Sequence, residues 1–317
     1  MKKVYIARAV DSEAVDLLRE HFEVTVNPND RELTREELLE LVPHYHGFLS
    51  MLSNRIDEEV LERAKMVEIF ANYAVGYNNF DVAAAKKRGI LMSNTPGVLT
   101  DATADMAFAL LLGAARRLTE SDRYVARGLF KEWHPKLLLG RELKGQTLGI
   151  IGFGEIGQAV AARARGFGMR IVYHNRSQKK EAAMALGAQY LEMDTLLQTA
   201  DFISVHTPLS EATHHLIDQR AIDLMKDEVV FVNTSRGPVV DEKALISALE
   251  RGKFFGVGLD VYEEEPRVPQ ALIDCERVIN VPHIGSATVT ARRAMAMMAA
   301  KNIIAALSGK EPPNKID

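Results

Sequence analysis

The chain has 317 residues, more than an ordinary single core needs, and this length suits two domains. Hydrophobic residues at 47% and charged residues at 26% fit a soluble globular protein, and a net charge of −4 offers no basic surface for nucleic acid or anionic lipid. The one cysteine, Cys275, excludes an internal disulfide and a cysteine-held metal cluster and fits a reducing cytoplasm.

In chain order, Met1-Lys2-Lys3-Val4-Tyr5-Ile6 runs straight into a strand pattern without the apolar stretch of a secretion signal. No apolar run approaches the ~20 residues needed to span a bilayer. Val4 to Ala7, Gly47 to Leu52, Val67 to Ala71 and Ile90 to Ser93 read as buried strands. Helical patterns lie between them. One opens at Thr34, which has capping-box spacing to Glu37, and another at Asp81, a plausible N-cap before three alanines and a valine. Alternation of this kind predicts a parallel sheet covered by helices.

Asn94-Thr95-Pro96-Gly97 is a turn signal that stops both patterns. The stretch from Asp101 to about Gly128 then reads as one long helix. Its centre, Met106 to Leu112, is apolar nearly all round, so it belongs in a large core or a subunit interface. An irregular arm, Leu129 to Lys144, carries the only tryptophan, Trp133. A second alternating series follows, with strands expected at Thr147 to Gly152, Arg170 to His174, Phe202 to His206, Glu228 to Asn233, Gly256 to Asp260 and Val278 to Val281. Six strands are the number in a full dinucleotide-binding sheet. A last helix, about Thr288 to Leu307, closes the chain.

The most legible segment is Leu148-Gly149-Ile150-Ile151-Gly152-Phe153-Gly154-Glu155-Ile156-Gly157. Gly152, Gly154 and Gly157 have G-x-G-x-x-G spacing between an apolar strand and an Ala-rich helix. The first glycine permits the tight turn, the second lets the backbone approach a pyrophosphate, and the third allows close helix–strand packing. The helix N-terminus offers free N–H groups to the phosphates. The end of the next strand, Val172-Tyr173-His174-Asn175-Arg176-Ser177, lacks the acid that would hold a ribose 2′-hydroxyl. Arg176 can pair with a 2′-phosphate, with Asn175 and Ser177 as further donors, which favours NADP(H) over NAD(H). The plainer alternative is a solvent-exposed loop.

Three more segments end strands on the ligand-binding side: Asn233-Thr234-Ser235-Arg236-Gly237-Pro238, Asp260-Val261-Tyr262-Glu263-Glu264-Glu265-Pro266 and Pro282-His283-Ile284-Gly285-Ser286. With these, the sequence resembles the D-isomer-specific 2-hydroxyacid dehydrogenases, and most of all their glyoxylate/hydroxypyruvate reductase branch. The resemblance runs from Asn72-Tyr73-Ala74-Val75-Gly76-Tyr77-Asn78-Asn79-Phe80-Asp81 to His283-Ile284-Gly285-Ser286-Ala287-Thr288. It implies that Arg236, Glu265 and His283 are the catalytic trio. It also implies that the cofactor meets Gly152, Gly154, Glu155, Ile156, Gly157, Thr103, His206, Thr207, Thr234, Ser235, Asp260 and Gly285. The substrate meets Leu52, Ser53 and the Val75–Gly76 backbone, with Arg236 and His283.

The chemistry of the trio makes independent sense. Arg236 offers a fixed fork of donors for a carboxylate and an adjacent ketone. His283 can hand over a proton near neutral pH, and a carboxylate such as Glu265 orients the ring and favours imidazolium. Plainer roles exist for each: a structural ion pair for Arg236, solvated surface for the acidic run around Glu265, a core histidine for His283. Leu52 reads equally as core, and Thr103 also suits a helix start. His214 and His215 read as loop packing, and no histidine or acidic spacing suggests a metal site.

Two departures from the family stand out. Glu155 replaces an arginine often found in the phosphate turn, and Ser235 replaces the usual alanine before the catalytic arginine. The expected architecture is two doubly wound parallel-sheet α/β domains: a Rossmann cofactor domain over 100–283, and a flavodoxin-like substrate domain split between 1–97 and 284–317. The long helix and the family imply a homodimer. A phosphoglycerate dehydrogenase would need basic residues where Ser50-Met51-Leu52-Ser53-Asn54 has none, and a formate dehydrogenase pairs its histidine with glutamine. A 2-ketogluconate reductase differs mainly in substrate length, and a dinucleotide-sensing corepressor carries extra tails and partner-binding clefts, whereas no extension or basic tract is read in this sequence.

Overall fold

The computed structural model describes residues 1–317, and the chain divides into two compact units, Met1–Leu99 with Ser286–Asp317, and Thr100–Gly285. In the first unit the strands are β1 (Lys3–Ile6), β2 (Glu23–Val26), β3 (Gly47–Ser50), β4 (Ile69–Asn72) and β5 (Leu91–Ser93). All pairings are parallel, in the order β2-β1-β3-β4-β5. β2 is absent from the sequence reading because Glu-Val-Thr-Val is an edge strand with no fully buried residue and no apolar run to mark it. Both sheet faces are covered, so the inner strands are apolar throughout. One face packs Phe48, Phe70, Ile56 and Val60, and the other packs Val4, Ile6, Leu49 and Ile69 against Ala296, Ala299, Ala300 and Ile303 of the helix Val289–Leu307. The Thr34–Glu37 capping box is present, and Asp81 accepts from the Ala84 N–H at 2.9 Å.

The second unit carries β6 (Thr147–Ile151), β7 (Arg170–His174), β8 (Ala188–Tyr190), β9 (Phe202–Val205), β10 (Val229–Asn233), β11 (Phe254–Leu259) and β12 (Val278–Asn280). They form one parallel sheet in the order β12-β11-β10-β9-β6-β7-β8. The sheet therefore has seven strands rather than six; β8 is a three-residue edge strand, too short to show a period. The chain winds in opposite directions from β6, so the carboxyl ends of β6 and β9 are the topological switch point where such sheets receive ligands.

The expected long helix breaks in two. Thr100–Ala115 buries Ala104, Ala107, Phe108, Leu110, Leu111 and Ala114 against this sheet, so its all-round apolar centre serves the unit's own core. Arg117 then takes a left-handed conformation (φ 54°), its guanidinium held by Glu120, and Leu118–Ala126 continues with no buried residue. Ile284 and Gly285, expected with the substrate domain, stay with the cofactor unit because Asp260 accepts from both of their N–H groups. No helix is long and apolar enough to cross a membrane.

Candidate active site

The phosphate turn is built as its glycines demand. Gly152 has φ 94°, and a Cβ there would lie 2.7 Å from the His206 carbonyl; a Cβ on Gly157 would overlap the Gly152 carbonyl oxygen. The turn thus lies backbone against backbone, with Gly154 capping the helix Glu155–Gly166. The first N–H groups of that helix have no intrahelical partner, which suits a pyrophosphate. Thr207 Oγ1, just past β9, is buried without a hydrogen-bond partner, as expected of an atom reserved for a ligand. Turn and orphaned hydroxyl together fit a dinucleotide. The Glu155 carboxylate accepts from Thr100 Oγ1 at 3.3 Å and is exposed, while Ile156 is half-buried beside it.

Asn175 is tied down on both sides. Its Oδ1 accepts from the Phe153 N–H at 3.1 Å, and its Nδ2 donates to the Ser177 carbonyl at 2.8 Å. It therefore braces the phosphate turn against the end of β7. Arg176 and Ser177 are exposed, and the Arg176 side chain is in no ion pair. His206 lies between Ser204 Oγ (Nε2, 2.8 Å) and Thr234 Oγ1 (Nδ1, 3.5 Å), and burial pulls its pKa down to about 4, so the ring is neutral at working pH. The Ser235 hydroxyl donates to Asn233 Oδ1 at 2.7 Å, which occupies the atom that distinguishes it from alanine. Thr103 is buried, and its Cγ2 lies 3.4 Å from where a Gly285 Cβ would stand.

At the carboxyl ends of β10, β11 and β12 the structure assembles Arg236, Glu265 and His283. Arg236 Nη1 donates to its neighbour Ser235's carbonyl at 2.7 Å. Burial lowers the Arg236 pKa, against the opposing charge of Glu265. A Cβ at Gly237 would overlap the Tyr262 carbonyl, so the Arg236 turn presses directly on the loop that carries Glu265. This glycine is a site residue the sequence reading missed; its place in Ser-Arg-Gly-Pro was the available signal. Glu265 Oε1 accepts from the Tyr262 N–H at 3.1 Å and Oε2 from His283 Nδ1 at 2.7 Å. Burial works to raise the Glu265 pKa, but the His283 hydrogen bond and charge, the Tyr262 N–H and Arg236 together hold it below the usual carboxylate range. A carboxylate can only accept, so Nδ1 carries the proton and Nε2 is left for another partner.

His283 itself is strained, at φ 53°. Its N–H donates to the Asp260 carbonyl at 2.9 Å, and the Asp260 carboxylate accepts from Ile284 at 2.6 Å and Gly285 at 2.8 Å. Asp260 is 1% exposed, and burial pushes its carboxyl up. Each of its oxygens thus accepts from the turn after His283, so it helps set that turn's conformation, and each keeps a lone pair for the cofactor contact expected of Asp260.

The residues expected to border the substrate lie in the other unit. Leu52 is half-buried and Ser53 exposed, on the turn after β3. After β4, the carbonyl of Val75 accepts from Asn94 Nδ2 at 2.7 Å and that of Gly76 from Asn72 Nδ2 at 2.9 Å. With the carbonyls pulled back, the N–H groups of Val75 and Gly76 are left without intramolecular acceptors. Asn79, also unmarked in the sequence, donates to the carbonyls of Met51 (3.2 Å) and Asn54 (3.0 Å) and joins the two loops.

A glycine turn at a switch point, followed by a histidine–carboxylate pair and a half-buried arginine at neighbouring strand ends, defines a nicotinamide-dinucleotide oxidoreductase acting on a carboxylate-bearing substrate. Residues 108–285 match the family model for the D-isomer specific 2-hydroxyacid dehydrogenase, NAD binding domain. A glyoxylate reductase from Thermococcus kodakarensis is 49% identical, over 99% of this chain and 96% of that protein. The crystal structure of the TT0316 protein from Thermus thermophilus superposes with a TM-score of 0.93 at 45% identity, covering 99% of this chain and all of the other. A glyoxylate reductase from Paecilomyes thermophila gives 0.90 at 35% identity, covering 99% and 98%. The chain belongs to the D-isomer specific 2-hydroxyacid dehydrogenase family, and a nicotinamide dinucleotide is its cofactor.

Proposed function

We propose that the protein reduces glyoxylate and hydroxypyruvate to the D-2-hydroxy acids and prefers NADPH. The observation that carries this reading is the 2.7 Å Glu265–His283 pair, with Nε2 free to act and the half-buried Arg236 near enough for its charge to act on Glu265. Gly152, Gly154 and Gly157 with the amides of Glu155 and Ile156 hold the pyrophosphate, and Arg176 and Ser177 take the 2′-phosphate. Thr103, His206, Thr207, Thr234, Ser235, Asp260 and Gly285 line the nicotinamide side. When bound, the reduced cofactor supplies the hydride.

The chain's own residues do the rest. Arg236 and the Val75–Gly76 amides hold the carboxylate, and Arg236 polarises the ketone. His283 donates its Nε2 proton to the developing alkoxide, and in oxidation takes it back. Glu265 keeps the ring oriented and stabilises its positive form; Asp260 fixes the strained turn that aims it. Leu52 and Ser53 border the substrate and bring no cation, so a second anion would cost several kcal/mol to bury there.

The test is kcat/KM for glyoxylate, hydroxypyruvate, 2-ketogluconate and 3-phosphohydroxypyruvate at one fixed NADPH concentration, repeated with NADH. The first two should lead, with 2-ketogluconate behind and the phosphorylated acid last. A best rate with the phosphorylated acid overturns the substrate assignment, and equal or better rates with NADH overturn the cofactor preference. The same reading includes a cytoplasmic homodimer. Its support is now the exposed apolar stretch Leu118, Val125, Phe130, Trp133 and Leu139, between 54% and 78% exposed, because the preceding helix spends its apolar centre within the chain.

A further inference from the structure

The loop after β9 carries two adjacent histidines, His214 and His215, stacked with ring centroids 4.0 Å apart. Residue 215 takes a left-handed conformation (φ 50°), and its N–H donates to the Pro238 carbonyl at 2.8 Å. This turns its ring toward the loop after β11, where Nε2 meets Glu263 Oε1 at 2.6 Å. One donor atom from each of His214, His215 and Glu263 lies within 4.8 Å of the others. Donors around a tetrahedral ion with bonds of about 2.0–2.1 Å stand about 3.3–3.5 Å apart, so small side-chain rotations complete the set.

Two imidazoles and one carboxylate are the ligands of a borderline divalent transition metal rather than of calcium or magnesium, which take oxygens. The Glu263 backbone is held in place as well, its N–H donating to the Glu242 carboxylate at 3.3 Å. His214 is exposed and the other two are half-buried, so an ion can enter from solvent and keep water in a fourth position. None of the three belongs to the hydride-transfer machinery.

We propose that His214, His215 and Glu263 form a binding site for one divalent transition-metal ion of the zinc class. Binding exchanges the His215–Glu263 hydrogen bond for two metal–ligand bonds, and the ring proton moves from Nε2 to Nδ1 through solvent, so that His215 ligates as neutral imidazole. It ties the 213–216 segment to the loop that ends at Glu265.

The site is tested on the full-length protein, stripped with chelator and desalted, and then titrated with Zn2+ alone by calorimetry. Co2+ titrated in parallel reports coordination through its visible bands. The expected result is one saturable ion per chain, with the low-coordinate cobalt spectrum of a site that includes nitrogen ligands. His214→Ala and Glu263→Gln should each weaken Zn2+ binding by tenfold or more, with thermal melts in chelator matching the parent. Zn2+ should raise the parent's Tm and leave that of His214→Ala unchanged. Absence of a saturable site below millimolar Zn2+, or parental affinity in either variant, overturns the proposal; the latter would put the ion elsewhere, for example on the Glu265–His283 pair.

Discussion

Replacing Glu265 by glutamine keeps the shape of the Glu265–His283 contact and removes its charge. In the parent, Oε1 accepts from the Tyr262 N–H and Oε2 from His283 Nδ1. The amide has one oxygen for two donors, so one of these bonds is lost or reversed. Glu265 is held below its usual range by its partners, so it stands beside the ring as a full negative charge, which the glutamine lacks. A hydrogen bond between charged groups contributes about 1.5–3 kcal/mol. Solvent reaches this one, since the two side chains are 32% and 34% exposed, which argues for the lower half of that range. At about 1.4 kcal/mol per pH unit, the midpoint of the kcat/KM profile for reduction should fall by about 1 to 1.5 units. The sign follows from the direction of proton transfer: reduction needs the acid form and is lost as pH rises, so weakening that form moves the loss to lower pH. Oxidation, which needs the base, should extend to lower pH by a similar amount. The assay is reduction of glyoxylate with NADPH from pH 5 to 9 for parent and variant, with the cofactor saturating. An unchanged midpoint refutes the reasoning, because some other group would then govern the profile.

Arg176→Ala should raise the KM for NADPH about tenfold and leave that for NADH nearly unchanged, the lower end expected for an exposed arginine; an equal loss with both cofactors removes Arg176 from the 2′-phosphate. Gly157→Ala places a methyl against the Gly152 carbonyl oxygen, so the variant should lose measurable cofactor binding by fluorescence titration and melt at lower temperature. Asn79→Ala removes the donor between the Met51 and Asn54 carbonyls and should raise the KM for glyoxylate several-fold with little change in that for NADPH. The half-buried ring of His206, with its pKa near 4, resists the proton that the unfolded chain takes up near pH 6.5. Stability should therefore fall as pH drops from 6.5 toward 4, by on the order of 3 kcal/mol, and level off below. Urea melts of the cofactor-free protein, parent against His206→Asn, should show this slope only in the parent.

Much of this protein is settled by local sequence. A glycine spacing of 152, 154 and 157 between an apolar strand and a helix has few other uses, and buried parallel strands announce themselves as apolar runs because both faces of each sheet are covered. The edge strands β2 and β8 escaped because an edge needs no such run, and the break at Arg117 escaped because a left-handed residue leaves no composition signal when it is not glycine. The Glu265–His283 pair is local only in part. His283 and Glu265 are identifiable by their settings, but the 2.7 Å bond between them exists because β11 and β12 are paired neighbours. The same holds for Asp260, whose carboxylate also grips the Ile284 and Gly285 amides, a role that its place in the sequence does not reveal. His214 and His215 stand 48 or more residues from Glu263, and nothing in their spacing suggests a shared ion. Periodicity and turn chemistry are properties of neighbours along the chain. A donor set drawn from separate loops is a property of strand order, which only long-range burial and sheet pairing decide.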